Sequence, residues 1–205
     1  MNFASRLSAA ALAATLYGTG AHAGNFADVD IWVPRQGDHV GIGGRGYIVD
    51  LGIEFDTGDL DATGFNGLQI TGPGPLDNVG PHPGTFSPGR DDRMPGLVVL
   101  LSTTAIAAGP GTNLANLFNV TGVTRLQDDE IELWDTWIIG APNFGRGVES
   151  TLYVAVVADL DGNGVLDDAP DVVPDSDGDG DVDKDDLEAL GLASNVEKVT
   201  FFINE

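Results

Sequence analysis

The sequence of 205 residues contains no cysteine, so no disulfide can brace it and no thiolate can act as a nucleophile or a metal ligand. Basic residues are also scarce, with 9 Lys and Arg against 32 Asp and Glu. The resulting formal net charge of −23 repels phosphate backbones and anionic membranes, which argues against a nucleic-acid partner. The 3 histidines are too few and too scattered to suggest a His-based metal site.

Long hydrophobic runs are missing as well. The apolar run at residues 7–17 is shorter than the ~20 residues that a membrane-spanning helix requires. Arg6 precedes this run, and the small-x-small pattern of residues 21–23 follows it, which is typical of a signal peptide. We therefore expect residues 1–23 to be cleaved after Ala23. The remaining residues, 24–205, are expected to form one domain that is periplasmic or secreted.

Short apolar segments separated by frequent Gly and Pro are the main pattern before residue 159. Residues 46–55 and 129–139 alternate with the period of two that indicates half-buried strands. Continuous apolar runs at 97–101 and 152–157 suggest central strands that are covered on both faces. Residues 112–118 carry a helix signal, with Thr112 as a possible cap. Seven predicted strands with few helices favour an all-β fold, an antiparallel β-sandwich; these strands are 29–33, 46–55, 97–102, 120–126, 129–139, 150–158 and 196–203.

Acidic residues concentrate near the C-terminus, where residues 159–188 hold 13 of the 32 carboxylates and only one basic residue, Lys184. A run of like charge is often a solvated, disordered tail. The strands predicted at 150–158 and 196–203 could instead pair as a hairpin. Residues 159–191 would then be an insertion that connects two core strands.

The second half of this acidic segment has the ligand spacing of a calcium loop. An EF-hand binds Ca²⁺ through loop positions 1, 3, 5, 7 (a carbonyl), 9 and 12, with a Gly at position 6 for the sharp turn. Counted from Asp175, every ligand position carries an oxygen donor, and Gly180 occupies position 6. Residues 183–191 follow as a short predicted helix that ends at Gly191. The predicted ligands are Asp175, Asp177, Asp179, Asp181 (through its carbonyl), Asp183 and Asp186.

A second loop begins 16 residues earlier and is less complete. Gly164 occupies its position 6, but position 12 is Pro170, whose side chain cannot bind a metal. Asp168 or Asp171 could replace it if the loop closes irregularly. The predicted ligands are Asp159, Asp161, Asn163, Val165 (through its carbonyl) and Asp167. The sequence thus predicts one calcium ion and allows a second.

Residues 175–190 resemble the calcium loop and helix of a dockerin repeat, an EF-hand-type unit that uses Asp at position 12. The resemblance is confined to residues 159–190 and is best at 175–190, and no family is recognised from the pattern of residues 24–158. A dockerin carries two loop–helix units and docks a cohesin. Such docking would here have Leu187 and Leu190 facing the partner.

We therefore expect an exported, calcium-binding β-sandwich with a binding, adhesive or assembly role, in which calcium is structural. Its partner would be an unknown protein, an extracellular polymer or a second copy of the chain. Two other functions remain open. One is a dockerin-like module that docks a cohesin-like partner, and the other is a secreted hydrolase with a carboxylate pair drawn from Glu54, Glu132 and Asp135. The Gly- and Pro-rich residues 71–95 are a candidate binding loop.

Overall fold

The computed structural model describes residues 27–43, 46–55, 96–102, 109–117, 120–125, 130–139, 147–163 and 166–204. The predicted signal peptide and the predicted binding loop at 71–95 lie outside these residues. The described part contains eight strands and two short helices, which are β1 (Ala27–Val33), β2 (His39–Val40), β3 (Gly46–Phe55), β4 (Leu97–Leu101), α1 (Leu114–Leu117), β5 (Val120–Arg125), β6 (Glu130–Ile139), β7 (Val148–Val156), α2 (Lys184–Leu190) and β8 (Glu197–Ile203). Neither helix approaches the length that a membrane span requires.

The strands form two four-stranded sheets, with the orders β1-β3-β6-β5 and β2-β8-β7-β4. The prediction of an all-β fold with a short helix before the last strand is confirmed. All pairs are antiparallel except β2 with β8, a two-residue parallel pair that the alternation pattern did not predict. The predicted hairpin is also confirmed, since β7 pairs antiparallel with β8 from Val148↔Ile203 to Val154↔Glu197. The acidic segment therefore connects two neighbouring strands.

An apolar core joins the two sheets face to face. Along β3 the side chains of Leu51 and Ile53 are fully buried, as the period of two predicts. They belong to one cluster with Leu152 and Phe201 of the second sheet. The ring of Tyr47 on β3 packs edge-on against the ring of Phe201, with 5.5 Å between the ring centroids. This contact across the two sheets establishes the sandwich arrangement.

The opposite face of the second sheet is covered by the acidic segment. Val98 and Leu100 of β4 form a second buried cluster with Val173 and Leu187, two residues of that segment. β4 is therefore covered on both faces, as its continuous apolar run predicted. Among the described strands, however, it lies at the edge of its sheet and not at a central position.

Helix α1 lies within the region of the predicted upstream helix but begins after a different cap. The side-chain oxygen Oδ1 of Asn113 accepts a hydrogen bond from the Ala115 amide at 3.1 Å. The Thr112 hydroxyl instead donates to the Gly109 carbonyl at 3.0 Å. Asn113 is fully buried, and its Oδ1 also accepts the Val99 amide of β4 at 3.0 Å, so the start of the helix lies against β4.

Candidate metal centre

Two groups of three carboxylates lie in the acidic segment, one in each predicted loop. In each group, one carboxylate oxygen from every member lies within 4.8 Å of the others. Carboxylate oxygens are the ligands that hard divalent cations prefer, so each group could hold one ion. We call residues 159–168 loop 1 and residues 175–186 loop 2. The groups are Asp159, Asp161 and Asp168 in loop 1, and Asp175, Asp177 and Asp186 in loop 2.

The turn of loop 2 is held by the carboxylate of Asp175, whose two oxygens accept the amides of Gly178 at 2.7 Å and Gly180 at 3.1 Å. Both glycines have positive φ, 75° and 96°, a conformation that costs Gly no steric penalty. Asp177 Oδ1 accepts the Asp179 amide at 3.1 Å. The backbone of the loop thus orients the first two carboxylates of the group.

Asp186 closes loop 2 from the first turn of α2. Its side chain is only 2% exposed, and its oxygens accept the amides of Ser176 and, at 3.0 Å, of Asp183. Asp183 is the N-cap of α2 and accepts the Asp185 amide at 2.9 Å. Asp183 and Asp186 form a capping box, in which each side chain accepts the backbone amide of the other residue. The Asp186 carboxylate therefore closes loop 2 and stabilises the start of α2 at the same time.

The first half of loop 1 repeats the geometry of loop 2. Asp159 Oδ1 accepts the amides of Gly162 at 2.7 Å and Asn163 at 3.0 Å. Asp161 Oδ1 accepts the Asn163 amide at 2.9 Å, just as Asp177 accepts an amide two residues further along loop 2. Gly162, like its counterpart in loop 2, has a positive φ of 74°. The two loops therefore turn in the same way.

The second half of loop 1 closes earlier than the EF-hand spacing predicts. Asp168 Oδ2 accepts the amides of Leu160 at 2.6 Å and Asp161 at 2.9 Å. Leu160 holds the same loop position as Ser176, which donates to Asp186 in loop 2. In both loops the closing carboxylate thus accepts the backbone amide of position 2, although this carboxylate stands at position 10 in loop 1 and at position 12 in loop 2.

Five of the eleven predicted ligands belong to the two carboxylate groups. The other predicted ligands that the structure describes lie in the same loops but outside the groups; they are Asn163, Asp167, Asp179, Asp181 and Asp183. Val165 lies outside the described residues. An amide or carbonyl ligand cannot enter a group defined by carboxylates, and membership of a group does not decide the ligand role of the other carboxylates, so all six of these roles stay predictions. Asp168 is the addition, which the sequence offered only as a replacement for Pro170.

Negative charge is unbalanced within loop 2. The Asp179 amide lowers the pKa of Asp177, but desolvation and the nearby carboxylates outweigh this effect, so the pKa of Asp177 lies above its usual value. The carboxylates responsible are those of Asp179, Asp186 and Asp175. Lys184, the only basic residue between 159 and 188, pairs with Glu188 one turn along α2. A divalent cation would supply the positive charge that this loop lacks.

If loop 1 holds a calcium ion, replacing Asp168 by Asn is expected to weaken its binding about tenfold or more, because calcium affinity depends on the number of charged ligands. Asp167→Asn is the matched control, since Asp167 is the exposed neighbour outside the carboxylate group. This control should stay within about twofold of the wild-type affinity. Calorimetric calcium titration of both variants would measure the difference. A larger loss for Asp167→Asn would favour the ligand set predicted from EF-hand spacing.

The carboxylates considered for a hydrolase come from the adjacent strands β3 and β6. Glu54 is exposed, and in the strand register Glu132 lies opposite Gly52 while Asp135 lies opposite Val49. This register places the three residues on neighbouring strands but establishes no catalytic distance. The hydrolase hypothesis therefore stays a prediction.

Comparison of the chain with protein-family models, with curated proteins and with solved structures gives no match. The resemblance to a dockerin therefore depends on the loop residues alone. The two carboxylate groups are compatible with calcium loops, and any functional assignment has to be argued from their geometry.

Proposed function

We propose that this protein binds a calcium ion in each of loops 1 and 2, and that both ions are structural. The main supporting observation is that six carboxylates gather in two groups on a segment that also forms part of the apolar core. Asp186, a member of the loop 2 group, and Leu187, a member of the apolar cluster, are both buried and adjacent on α2. An ion that closes loop 2 would therefore also stabilise the packing of α2 on the second sheet.

Calcium fits the donor set better than other common metals. The groups offer oxygen donors and no sulfur or imidazole, whereas zinc and copper prefer Cys and His ligands. Magnesium requires near-ideal octahedral geometry and gives up its water reluctantly. Irregular loops with several carboxylates and nearby carbonyls suit the larger and more flexible coordination of calcium.

Calcium also offsets the cost of the buried charge. A buried carboxylate is expensive to desolvate unless it is paired or hydrogen-bonded. Asp186 accepts two backbone amides, which compensate part of this cost, while the neighbouring carboxylate of Asp177 repels it. A bound cation would convert that repulsion into attraction. This is the physical reason to assign calcium a structural role.

The broader role that we propose is an exported scaffold with a binding, adhesive or assembly function. Its partner would be a protein or an extracellular polymer. Calcium affinity in the range of about 10⁻⁵ to 10⁻³ M would match the weak sites of extracellular modules. Such sites would fill only after export, because free calcium is scarce in the cytosol.

A dockerin-like docking function is less well supported. Leu187 is fully buried, and Leu190 packs half-buried against the same cluster. These are the side chains that would face a partner if the loop–helix unit docked a cohesin. In this protein they contact its own second sheet, which favours a structural role for the calcium segment.

Isothermal titration with calcium and with magnesium tests this function. We expect about two calcium ions per chain and at least tenfold weaker binding of magnesium, for the geometric reason given above. Ionic strength is held constant so that diffuse attraction of cations to the acidic surface contributes equally. Absence of saturable calcium binding, or equal affinity for the two metals, would contradict a dedicated calcium site.

A further inference from the structure

The linker between the two loops, residues 169–174, is fastened to a distant part of the chain. The Val173 amide donates to the Gly111 carbonyl at 2.7 Å, and the Asn113 amide donates to the Asp171 carbonyl at 3.0 Å. These two bonds make a short antiparallel pair between residues 111–113 and 171–173. Val173 is 1% exposed and belongs to the apolar cluster on the second sheet.

Asn113 connects this linker to the edge of β4. Its side-chain amide takes the place of a neighbouring strand, because Oδ1 accepts the Val99 amide and Nδ2 donates to the Leu97 carbonyl, both at 3.0 Å. The same Nδ2 donates to the Pro170 carbonyl in the linker at 3.2 Å. One buried side chain thus pairs with the edge strand and with the linker at once.

We propose that calcium occupancy of the two loops controls this edge of β4 through the linker, an inference that depends on the proposed calcium function. Asp168 of loop 1 immediately precedes the linker and Asp175 of loop 2 immediately follows it. An ion in either loop therefore holds one end of the linker. Without ions, repulsion among the carboxylates opens the loops and releases the linker. Asn113 then loses its linker contacts, and the edge of β4 opens locally.

The coupling has to act in both directions, because thermodynamic linkage is reciprocal. If calcium favours the docked linker, a change that displaces the linker must weaken calcium binding. Gly111 and Gly109 provide a matched pair for this test, since both have φ +78°. A Cβ atom at Gly111 would lie 2.3 Å from the Val173 carbonyl oxygen, whereas a Cβ at Gly109 would meet nothing within 4 Å. Alanine imposes similar backbone strain at both positions, but only Gly111→Ala displaces the linker.

Calcium titration of the whole protein should separate the two variants. We expect Gly109→Ala to stay within about twofold of the wild-type half-saturation concentration. Gly111→Ala should need about tenfold more calcium, because only the fraction with a docked linker binds tightly. Equal titrations for the two variants would overturn the coupling.

Hydrogen exchange of the Val99 amide, followed by NMR, measures directly how often the edge of β4 opens. Removal of calcium with EGTA, well below the melting temperature, should reduce the protection of Val99 about tenfold or more. The Val29 amide is the control, because it is held by the Asn195 side chain at 2.7 Å on the edge of β1. Val29 should keep its protection. Equal loss at both amides would show global opening and overturn the inference.

Failure of the proposed function and failure of this inference are distinguishable. A wild-type protein that takes up no calcium contradicts the proposed function itself. A wild-type protein that takes up calcium while Val99 exchanges at the same rate with and without it overturns only the coupling to β4.

Discussion

Removing calcium with excess EGTA should lower the melting temperature of this protein by roughly 10–20 °C. At calcium concentrations near 100 times the dissociation constant, each ion stabilises the folded state by about 2.7 kcal/mol, so two ions contribute about 5 kcal/mol. For a domain of this size, 1 kcal/mol shifts the melting temperature by about 2–4 °C. Thermal unfolding followed by circular dichroism, in calcium at about 100 times the dissociation constant found by titration and in excess EGTA, measures the shift.

Two controls make this experiment specific. Adding calcium in excess of EGTA should restore the original melting temperature, and magnesium at equal ionic strength should restore little of it. An unchanged melting temperature in EGTA would mean that residues 159–186 form a solvated acidic connection whose folding needs no ion. The search for function would then move to the predicted binding loop at residues 71–95.

The second large effect is expected for Asp186→Asn, which should destabilise the protein in calcium by roughly 3–5 kcal/mol. The substitution removes a charged ligand of loop 2, and it replaces one of the two carboxylate oxygens that accept backbone amides by an NH2 group, which cannot accept, at a buried position. Loss of the loop 2 ion alone accounts for about 2.7 kcal/mol under the saturating conditions given above. Urea unfolding in calcium measures the change in unfolding free energy.

Asp185→Asn is the matched control because it removes the same charge from the preceding residue of α2. Asp185 is exposed and lies outside the carboxylate group, so its loss should cost no more than about 1 kcal/mol through the helix dipole. In EGTA the cost of Asp186→Asn should become smaller, because the neutral side chain relieves repulsion with Asp177. A cost that is equal with and without calcium would show that Asp186 acts only through its hydrogen bonds.

Local patterns were sufficient for most of the fold. The strict alternation in residues 46–55 predicted β3 and its buried face, because side chains on a strand point alternately to its two sides. Strands on either side of the acidic segment predicted the β7–β8 pair. The parallel pair of β2 with β8 was not predictable in this way, since two residues carry no periodicity.

Loops 1 and 2 likewise combine features that the local sequence predicts with features that it does not. The spacing of Asp175, Asp177 and Asp186 predicted the carboxylate group of loop 2, because a short loop with glycine turns determines its own hydrogen bonds. Loop 1 departs from the EF-hand spacing at its closing carboxylate, which stands at position 10 instead of position 12. A template of EF-hand spacing therefore did not place Asp168 among the ligands, although Asp168 was one of the two open alternatives to Pro170.

The sequence by itself determined the features that depend on near neighbours along the chain, namely the β-rich fold, the acidic segment and the turns of loop 2. Only the tertiary structure decided which elements the acidic segment contacts. Asn113 and the linker residue Pro170 are separated by 57 positions, and no local pattern predicts their hydrogen bond. Such contacts form because β4 has an apolar outer face and backbone edge groups that no strand of the described residues pairs, so another part of the chain has to cover them.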